Sequence, residues 1–196
     1  MAKLISLLNE IEGCELCKAF LPHGPRPILQ AAENARILII GQAPGSKVHA
    51  SGIPFDDASG DRLRAWMGVD KNTFYDASKI AIMPMGLCYP GKGRSGDLPP
   101  RPECAPMWHH QVLNVLPKIE LTLLVGQYAQ KYYLQAGDLT KQHSTLTENV
   151  QNWKAFLPAV FPMPHPSPRN QIWLNKHPWF EQNVIPALRR RVASLV

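Results

Sequence analysis

Short apolar runs alternate with helix-type spacing along most of this chain of 196 residues. Apolar runs bounded by Gly, Pro and polar residues predict strands at residues 36–40, 80–85, 121–125 and 159–163. Apolar positions three and four residues apart predict helices at residues 4–12, 61–67, 105–116, 129–136 and 179–194. This alternation is typical of a parallel sheet covered on both faces. We therefore expect an α/β fold, a three-layer α/β/α sandwich with a central, mainly parallel sheet of roughly four strands.

Length and composition indicate a single domain spanning residues 1–196. A chain of this length with 45% hydrophobic residues can build one well-packed core and is short for two. The apolar run at the amino terminus is interrupted by Asn9 and Glu10, so it predicts an amphipathic helix and not a signal peptide. No stretch approaches the roughly 18 apolar residues of a membrane helix. We expect a monomeric, cytoplasmic protein without membrane association.

The charge of the chain favours a polyanionic partner. Its 21 basic and 15 acidic residues give a formal net charge of +6, and the isoelectric point is about 9.3. A positive balance of this size attracts phosphate-rich molecules but does not identify one. Nucleic acid is therefore the first candidate.

Four cysteines are spaced as a metal-binding set would be. Cys14 and Cys17 form a Cys-x-x-Cys pair, and Cys88 and Cys104 flank a proline-rich loop. The four would meet if that loop folds back on the amino-terminal helix. Spacing alone leaves zinc, an iron–sulfur cluster and four separate buried thiols open. Disulfides are the weaker explanation in a cytosolic protein, and a redox pair fits poorly because Cys14 does not open a helix after a strand.

Two loops rich in Gly, Pro and small polar residues follow predicted strands. The first, at residues 41–47, is not a nucleotide phosphate loop because its lysine does not directly follow the second glycine, and it lacks the glycines of a dinucleotide fingerprint. Farther along, Phe55 is suited either to stack on a planar ligand or to plug the sheet edge. The second loop begins at His165. Because open α/β folds bind ligands at the carboxyl ends of their strands, these loops predict the functional site.

Taken in order, these motifs resemble those of the uracil-DNA glycosylase superfamily, most closely its iron–sulfur branch, called family four. Residues 41–45 match the first motif of that branch, and residues 52–55 match its Gly-x-Pro-Phe element. Residues 165–167 match its His-Pro-Ser motif. The four cysteines, with a Pro-Gly-x-x-Arg loop at residues 90–94, match its cluster ligands. The resemblance spans residue 14 to about residue 170.

The resemblance implies an enzyme of base excision repair. Such a DNA glycosylase hydrolyses the N-glycosidic bond of a flipped, deaminated base, either uracil or a related lesion such as hypoxanthine. DNA is then the partner, and a 4Fe-4S cluster, with zinc as the alternative, is held by Cys14, Cys17, Cys88 and Cys104. The implied substrate-binding residues are Gly41, Ala43, Pro44, Gly45, Phe55, Pro84, Ser167 and Arg169. Lys92 and Arg94 are placed near the DNA backbone.

Three residues are implied in catalysis. His165 would donate a hydrogen bond to the carbonyl oxygen of the departing base. His49 stands where the family has an acidic residue, so it either orients the attacking water or is an exposed loop histidine. Gln42 replaces the usual glutamate of the first motif and cannot act as a general base.

Two departures favour an alternative function. Pro84 replaces the asparagine that reads the uracil edge, and its side chain can neither donate nor accept a hydrogen bond. With Gln42, this favours a non-catalytic iron–sulfur protein that binds DNA, whereas Phe55 and His165 favour the enzyme. We also expect His109 and His110, on the helix after Cys104, to face solvent or to pack at the helix end.

Overall fold

The computed structural model describes residues 2–136 and 145–196. Their α-helices, in chain order, are α1 (Ala2–Glu12), α2 (Ser46–Ser51), α3 (Ala58–Met67), α4 (Lys71–Tyr75), α5 (Cys104–Asn114), α6 (Gln127–Ala136), α7 (Leu146–Gln151), α8 (Gln171–Lys176) and α9 (Ile185–Ala193). The strands are β1 (Ile37–Ile40), β2 (Ile80–Ile82), β3 (Leu121–Val125) and β4 (Val160–Met163). A π-helical turn, Phe180–Val184, precedes α9.

The strands form one parallel sheet in the order β2-β1-β3-β4. Ile37 of β1 pairs with Ile80 of β2 and with Leu121 of β3, so all three strands leave the sheet at the same edge. β1 and β2 are buried along their whole length, as expected for strands covered on both faces. The predicted α/β class and four-stranded parallel sheet are confirmed.

Alternate residues of each strand enter two separate cores, because side chains point to opposite faces of a sheet. Ile37 and Ile39 join the core beneath α3, α4, α8 and α9, which includes Phe180. Leu38 and Ile40 join the core beneath α1, α5 and α6. Helices thus cover both faces, which gives the three predicted layers.

Most predicted elements differ from the observed ones by a few residues at an end; the helix predicted at residues 61–67, for example, begins at Ala58. Two further differences concern how an element ends or continues. The predicted strand at residues 80–85 ends at Ile82, although the amide of Met83 still donates to Ile39 O at 2.9 Å. The predicted helix at residues 179–194 is a π-helical turn followed by α9. Pro186 lies in the first turn of α9 and has no N–H, so it cannot continue a regular helix from the residues before it.

Among the described residues, no helix is both long and apolar enough to cross a membrane.

Candidate active site and cysteine cluster

A cavity of about 400 Å³ opens at the carboxyl edge of the sheet. It is bounded by the loops that follow β1, β2 and β4. Ten residues predicted for catalysis or substrate binding line it: Gly41, Gln42, Ala43, Pro44, Gly45, Phe55, Pro84, His165, Ser167 and Arg169. Its volume lies within the range of small-molecule sites in proteins.

Phe55 is fixed by the backbone around it. Its φ of 56° is unusual for a residue with a side chain, and such strain persists only where neighbours enforce it. A methyl group added to Gly41 would lie 3.1 Å from the Phe55 ring, so the ring packs directly over the turn. On its other side the ring meets Phe74 edge-on, with centroids 6.2 Å apart. The cavity therefore has a rigid aromatic wall.

His165 presents a hydrogen-bond donor to the cavity. The amide of Ser167 donates to His165 Nδ1 at 3.1 Å, so the proton of the neutral ring is on Nε2. Burial lowers the pKa of His165, and the negative charge of Asp57 opposes that shift only in part. The ring is therefore neutral near pH 7. Asn170 donates to the carbonyl oxygen of His165 at 2.9 Å, which holds the backbone in place.

Asp57 supplies a carboxylate to the same cavity. It is the N-cap of α3, where one oxygen accepts from the amide of Gly60 at 2.9 Å. Its charge acts on the His165 ring, so the two groups are close enough to interact. A carboxylate at this place can accept a proton from water.

The cavity wall formed by the segment after β2 has an apolar side chain, and the backbone carbonyl there is already hydrogen-bonded. Pro84 lines the cavity, and its carbonyl accepts from His109 Nε2 at 3.2 Å. His109 Nδ1 in turn accepts from the hydroxyl of Tyr133 at 2.6 Å. His109 is 1% exposed, and burial lowers its pKa to about 4. The expectation that His109 faces solvent or packs at the helix end is therefore wrong, because its two nitrogens are used beneath the cavity, whereas His110 is exposed.

A hairpin at residues 91–98 forms the outer wall of the cavity. It is closed by the pairing of Lys92 with Asp97 and by the amide of Leu98 donating to Gly91 O at 2.9 Å. The guanidinium of Arg169 donates to Ser95 O at 3.0 Å, which fastens the His165 loop to the hairpin.

His49 lies on α2 outside the cavity lining. Its ring contacts the rings of His23 and Tyr89, each at a centroid distance of 5.7 Å. Its Nδ1 is buried, with no hydrogen-bond partner among the described residues. The structure therefore does not bring His49 together with His165.

The four cysteines line one small, mostly apolar pocket between α1, α5 and the loop after β2. Burial raises the pKa of Cys88 to about 11 and that of Cys104 to about 12. Two of the four sulfurs accept hydrogen bonds from N–H groups. Trp108 Nε1 lies 3.4 Å from Cys14 Sγ, and the amide nitrogen of Leu87 lies 3.3 Å from Cys104 Sγ. In residues 2–136 and 145–196, no three His, Cys, Asp or Glu side chains are arranged to hold a metal ion.

Comparison with known proteins identifies the family to which this fold and cavity belong. The model of the uracil DNA glycosylase superfamily matches residues 29–189. The chain belongs to this superfamily. Among its relatives, the chain is 24% identical over 176 residues to the Type-4 uracil-DNA glycosylase of Sulfurisphaera tokodaii, covering 85% of this chain and 76% of that protein. It is 22% identical to the Type-4 uracil-DNA glycosylase of Saccharolobus solfataricus over 173 residues, covering 85% of this chain and 77% of that protein.

These matches confirm the resemblance to the superfamily and its type-4 branch. The protein is accordingly an enzyme of the glycosylase class, and membership leaves its substrate base open. The glycosylase motifs at residues 41–45, 52–55 and 165–167 converge on one cavity, as the sequence predicts.

Sequence reasoning missed Asp57 and Asn170 in this glycosylase. Asp57 looks like a helix N-cap, since Ala58 to Gly60 are small residues in a first helical turn, and that structural role hides its place in the cavity. Asn170 lies five residues after His165, and an asparagine so close to the loop could have indicated a side-chain hydrogen bond to the loop backbone.

Proposed function

We propose that this protein is a DNA glycosylase that hydrolyses the N-glycosidic bond of a flipped, deaminated base in base excision repair. Uracil is the default substrate and hypoxanthine the next. The observation that carries the proposal is the neutral His165 ring, whose proton is on Nε2 in a cavity that also holds Phe55 and Asp57.

The base would enter the cavity after rotating out of the DNA stack. Phe55 would stack on it. Gln42 would contact its edge, since the side-chain amide of Gln42 has no hydrogen bond among the described residues.

Ser167 and Gly45 would hold the flanking phosphates, while Pro168 and Arg169 fill the space that the base leaves. Lys92 and Arg94 are exposed nearby and would meet the DNA backbone.

The bond to the base breaks with its electron pair moving to the base, which becomes anionic while the sugar becomes an oxocarbenium-like cation. The Nε2–H of His165 would donate to a carbonyl oxygen of the base, and that hydrogen bond strengthens as negative charge develops. A neutral ring suits this role because it does not have to lose a proton to the leaving base.

Water then adds to the sugar carbon and gives up a proton. We assign acceptance of that proton to Asp57, because it lines the cavity and interacts with His165. For this step the sequence offers His49, with an exposed loop histidine as the alternative. Its ring lies outside the cavity lining, half-buried against His23 and Tyr89.

We propose that Cys14, Cys17, Cys88 and Cys104 hold a 4Fe-4S cluster, with zinc as the alternative. A shared pocket and N–H donors to sulfur fit a thiolate set. Metal binding would require both thiols to lose their protons, and burial opposes this by raising the pKa values of Cys88 and Cys104. When bound, the cluster would supply a structural tie, since none of its ligands lines the base cavity.

Single-turnover excision from oligonucleotides containing uracil, hypoxanthine or xanthine tests the proposal. His165→Ala should slow excision on the order of 10²-fold with DNA affinity nearly unchanged, because its hydrogen bond strengthens only as the bond breaks. Asp57→Asn keeps an N-cap side chain for α3 and removes the negative charge, so the rate should fall about 10²-fold or more.

Asp56→Asn is the matched control, since Asp56 is adjacent in sequence but contacts Lys71 and does not line the cavity. Its rate should change less than about twofold, as for a surface change. If the unmutated protein binds DNA and excises none of the three bases, the non-catalytic DNA-binding alternative replaces the enzyme.

A further inference from the structure

We infer that His49 is a positioning residue: with His23 and Tyr89 it forms a three-ring cluster that holds the hairpin wall of the base cavity and joins it to the cysteine pocket. This inference rests on the proposed function. It deepens that function by proposing that residues outside the cavity hold the cavity wall in position.

The three rings come from three separate segments. His23 follows the Cys17 segment, His49 lies on α2 just after the Gly45 turn, and Tyr89 follows Cys88 directly. The His23 and Tyr89 rings stack with centroids 5.4 Å apart and planes 19° apart, and His49 lies 5.7 Å from each. Tyr89 is 3% exposed, so the centre of the cluster is sealed. Moving any one of these segments therefore disturbs the other two.

The cluster reaches the cavity through the Tyr89 hydroxyl. This hydroxyl donates to a carboxylate oxygen of Asp97 at 3.4 Å, and Asp97 lines the cavity at the base of the hairpin. The second oxygen of Asp97 lies against the turn that binds substrate, because a methyl group added to Gly45 would be 3.3 Å from it. Tyr89 thus sets the distance between the hairpin and the Gly45 turn.

Arg26 connects the same cluster to the cysteine pocket. Its segment is bonded to the residue before Cys88, because the amide of Ile28 donates to Leu87 O at 2.7 Å. The backbone N–H of Arg26 lowers the pKa of the Cys88 thiol, against the larger effect of burial. Its guanidinium donates to the carbonyl oxygens of His49 and Ala50 at the end of α2, the latter at 3.2 Å. A cation is favourable at those carbonyls, where the helix leaves acceptors unsatisfied. Arg26 therefore joins Cys88 to the helix that carries His49.

The ring of His49 makes these contacts by packing, and its Nδ1 takes no part in them. Its Nδ1 is buried with no partner among the described residues, and a buried polar atom without a hydrogen bond does not stabilise a fold. An aromatic ring without nitrogen would preserve the packing against His23 and Tyr89. If His49 were a general base, His49→Phe would abolish its function. The two roles therefore predict different excision rates for His49→Phe.

The test compares His49→Phe with His49→Ala in the metal-loaded protein. We expect His49→Phe to excise uracil within about threefold of the unmutated rate, well below the 10²-fold or larger loss that removal of a general base produces. We expect His49→Ala to weaken substrate affinity about tenfold while the single-turnover rate at saturation changes less, because the wall is displaced and the reacting groups remain. Hydrogen exchange at residues 89–98 should accelerate in His49→Ala and not in His49→Phe.

His110→Phe and His110→Ala serve as matched controls, since His110 is exposed on α5, and neither should change exchange at residues 89–98. A large and equal rate loss in both His49 variants would overturn the inference and return His49 to the chemistry. Unchanged exchange in His49→Ala would also overturn it. Exchange needs no catalysis, so a protein that excises no base refutes the proposed function, while the exchange result still decides the role of His49.

Discussion

His109 is buried, and both of its ring nitrogens are hydrogen-bonded. Nε2 donates to Pro84 O at 3.2 Å and Nδ1 accepts from Tyr133 at 2.6 Å, a pattern that requires the neutral ring. Protonation would place a donor against the Tyr133 hydroxyl and a charge in a site with 1% exposure. Its pKa of about 4 expresses that cost.

This histidine should make stability depend on pH. Between an ordinary histidine pKa of about 6.5 and the folded value of about 4, the unfolded chain binds a proton that the folded chain does not. Stability is therefore greatest above that window and falls as the pH drops through it. From pH 7.5 to pH 5 the loss assigned to His109 should be on the order of 2 kcal/mol. Urea unfolding of unmutated protein and His109→Gln at both pH values measures it.

The variant should be less stable at pH 7.5, because Gln cannot reproduce both hydrogen bonds, but its stability should fall less toward pH 5. His110→Gln, altered at the exposed neighbour, should keep the pH dependence of the unmutated protein. Equal slopes for the unmutated protein and His109→Gln would contradict the assignment.

Single residues show where the sequence is informative. His165, Phe55 and the glycines of the first loop were predictable, because each occurs in a motif whose spacing has few other uses. Asp57 and His109 were not, since an N-cap aspartate and a helical histidine are common surface residues. Only their burial and their neighbours, which depend on contacts far apart in sequence, reveal their roles.

At the scale of the element, the start of α3 supports the aromatic wall. Gly60 lies in its first turn, directly against the backbone of Phe55. A methyl group added to Gly60 would overlap Phe55 O and lie 2.7 Å from Phe55 C. Backbone atoms cannot move away as a flexible side chain can, so the entry of α3 and the Phe55 turn are fixed together.

Gly60→Ala should therefore lower both stability and excision. The overlap would displace Phe55 or the first turn of α3, at a cost of about 2 kcal/mol or more, as for other overpacked sites. Thermal unfolding and single-turnover excision measure the two effects. Gly13→Ala is the control, since its added methyl group would have ordinary contacts of 3.8 and 3.9 Å. If Gly60→Ala unfolds and excises like the unmutated protein, Phe55 is not held in this way.

Strands and long helices were predictable because buried strands are continuous apolar runs and amphipathic helices repeat over several turns. α2, α4, α7 and α8 have only five or six residues each, too few for the periodicity to register, so the sequence did not reveal them. The break before α9 required knowledge of how Pro186 interrupts a helix whose apolar spacing continues through it.

At the scale of the molecule, the cysteine pocket joins the amino-terminal segment to the sheet. Cys14 and Cys17 follow α1, while Cys88 and Cys104 begin and end the loop that also forms the cavity wall. The meeting of these segments could be predicted from the resemblance, whereas the route from Cys88 to His49 through Arg26 could not, because no spacing signals it.

Protein purified without oxygen should be brown, with broad absorption at about 400 nm from thiolate-to-iron charge transfer. Cys88→Ser should bleach that colour and accelerate hydrogen exchange in residues 2–30 and 89–98 more than in β1 and β3. Ala19→Ser, an exposed change beside the pocket, is the control. Colourless protein with stoichiometric zinc would overturn the assignment of an iron–sulfur cluster. If hydrogen exchange in Cys88→Ser accelerated equally across the chain, the cysteine pocket would not specifically join these segments.

The cavity residues are synthesised in chain order, which differs from the strand order β2-β1-β3-β4 within the sheet. The Gly41 turn, Phe55 and the Pro84 wall leave the ribosome first, but His165 comes only after β4, at the far side of β3. A nascent chain that stops before β4 can thus begin to form an aromatic wall without the His165 donor for a departing base. Competence for catalysis is delayed until β4 pairs with β3, which is the last strand pairing that the growing chain can complete.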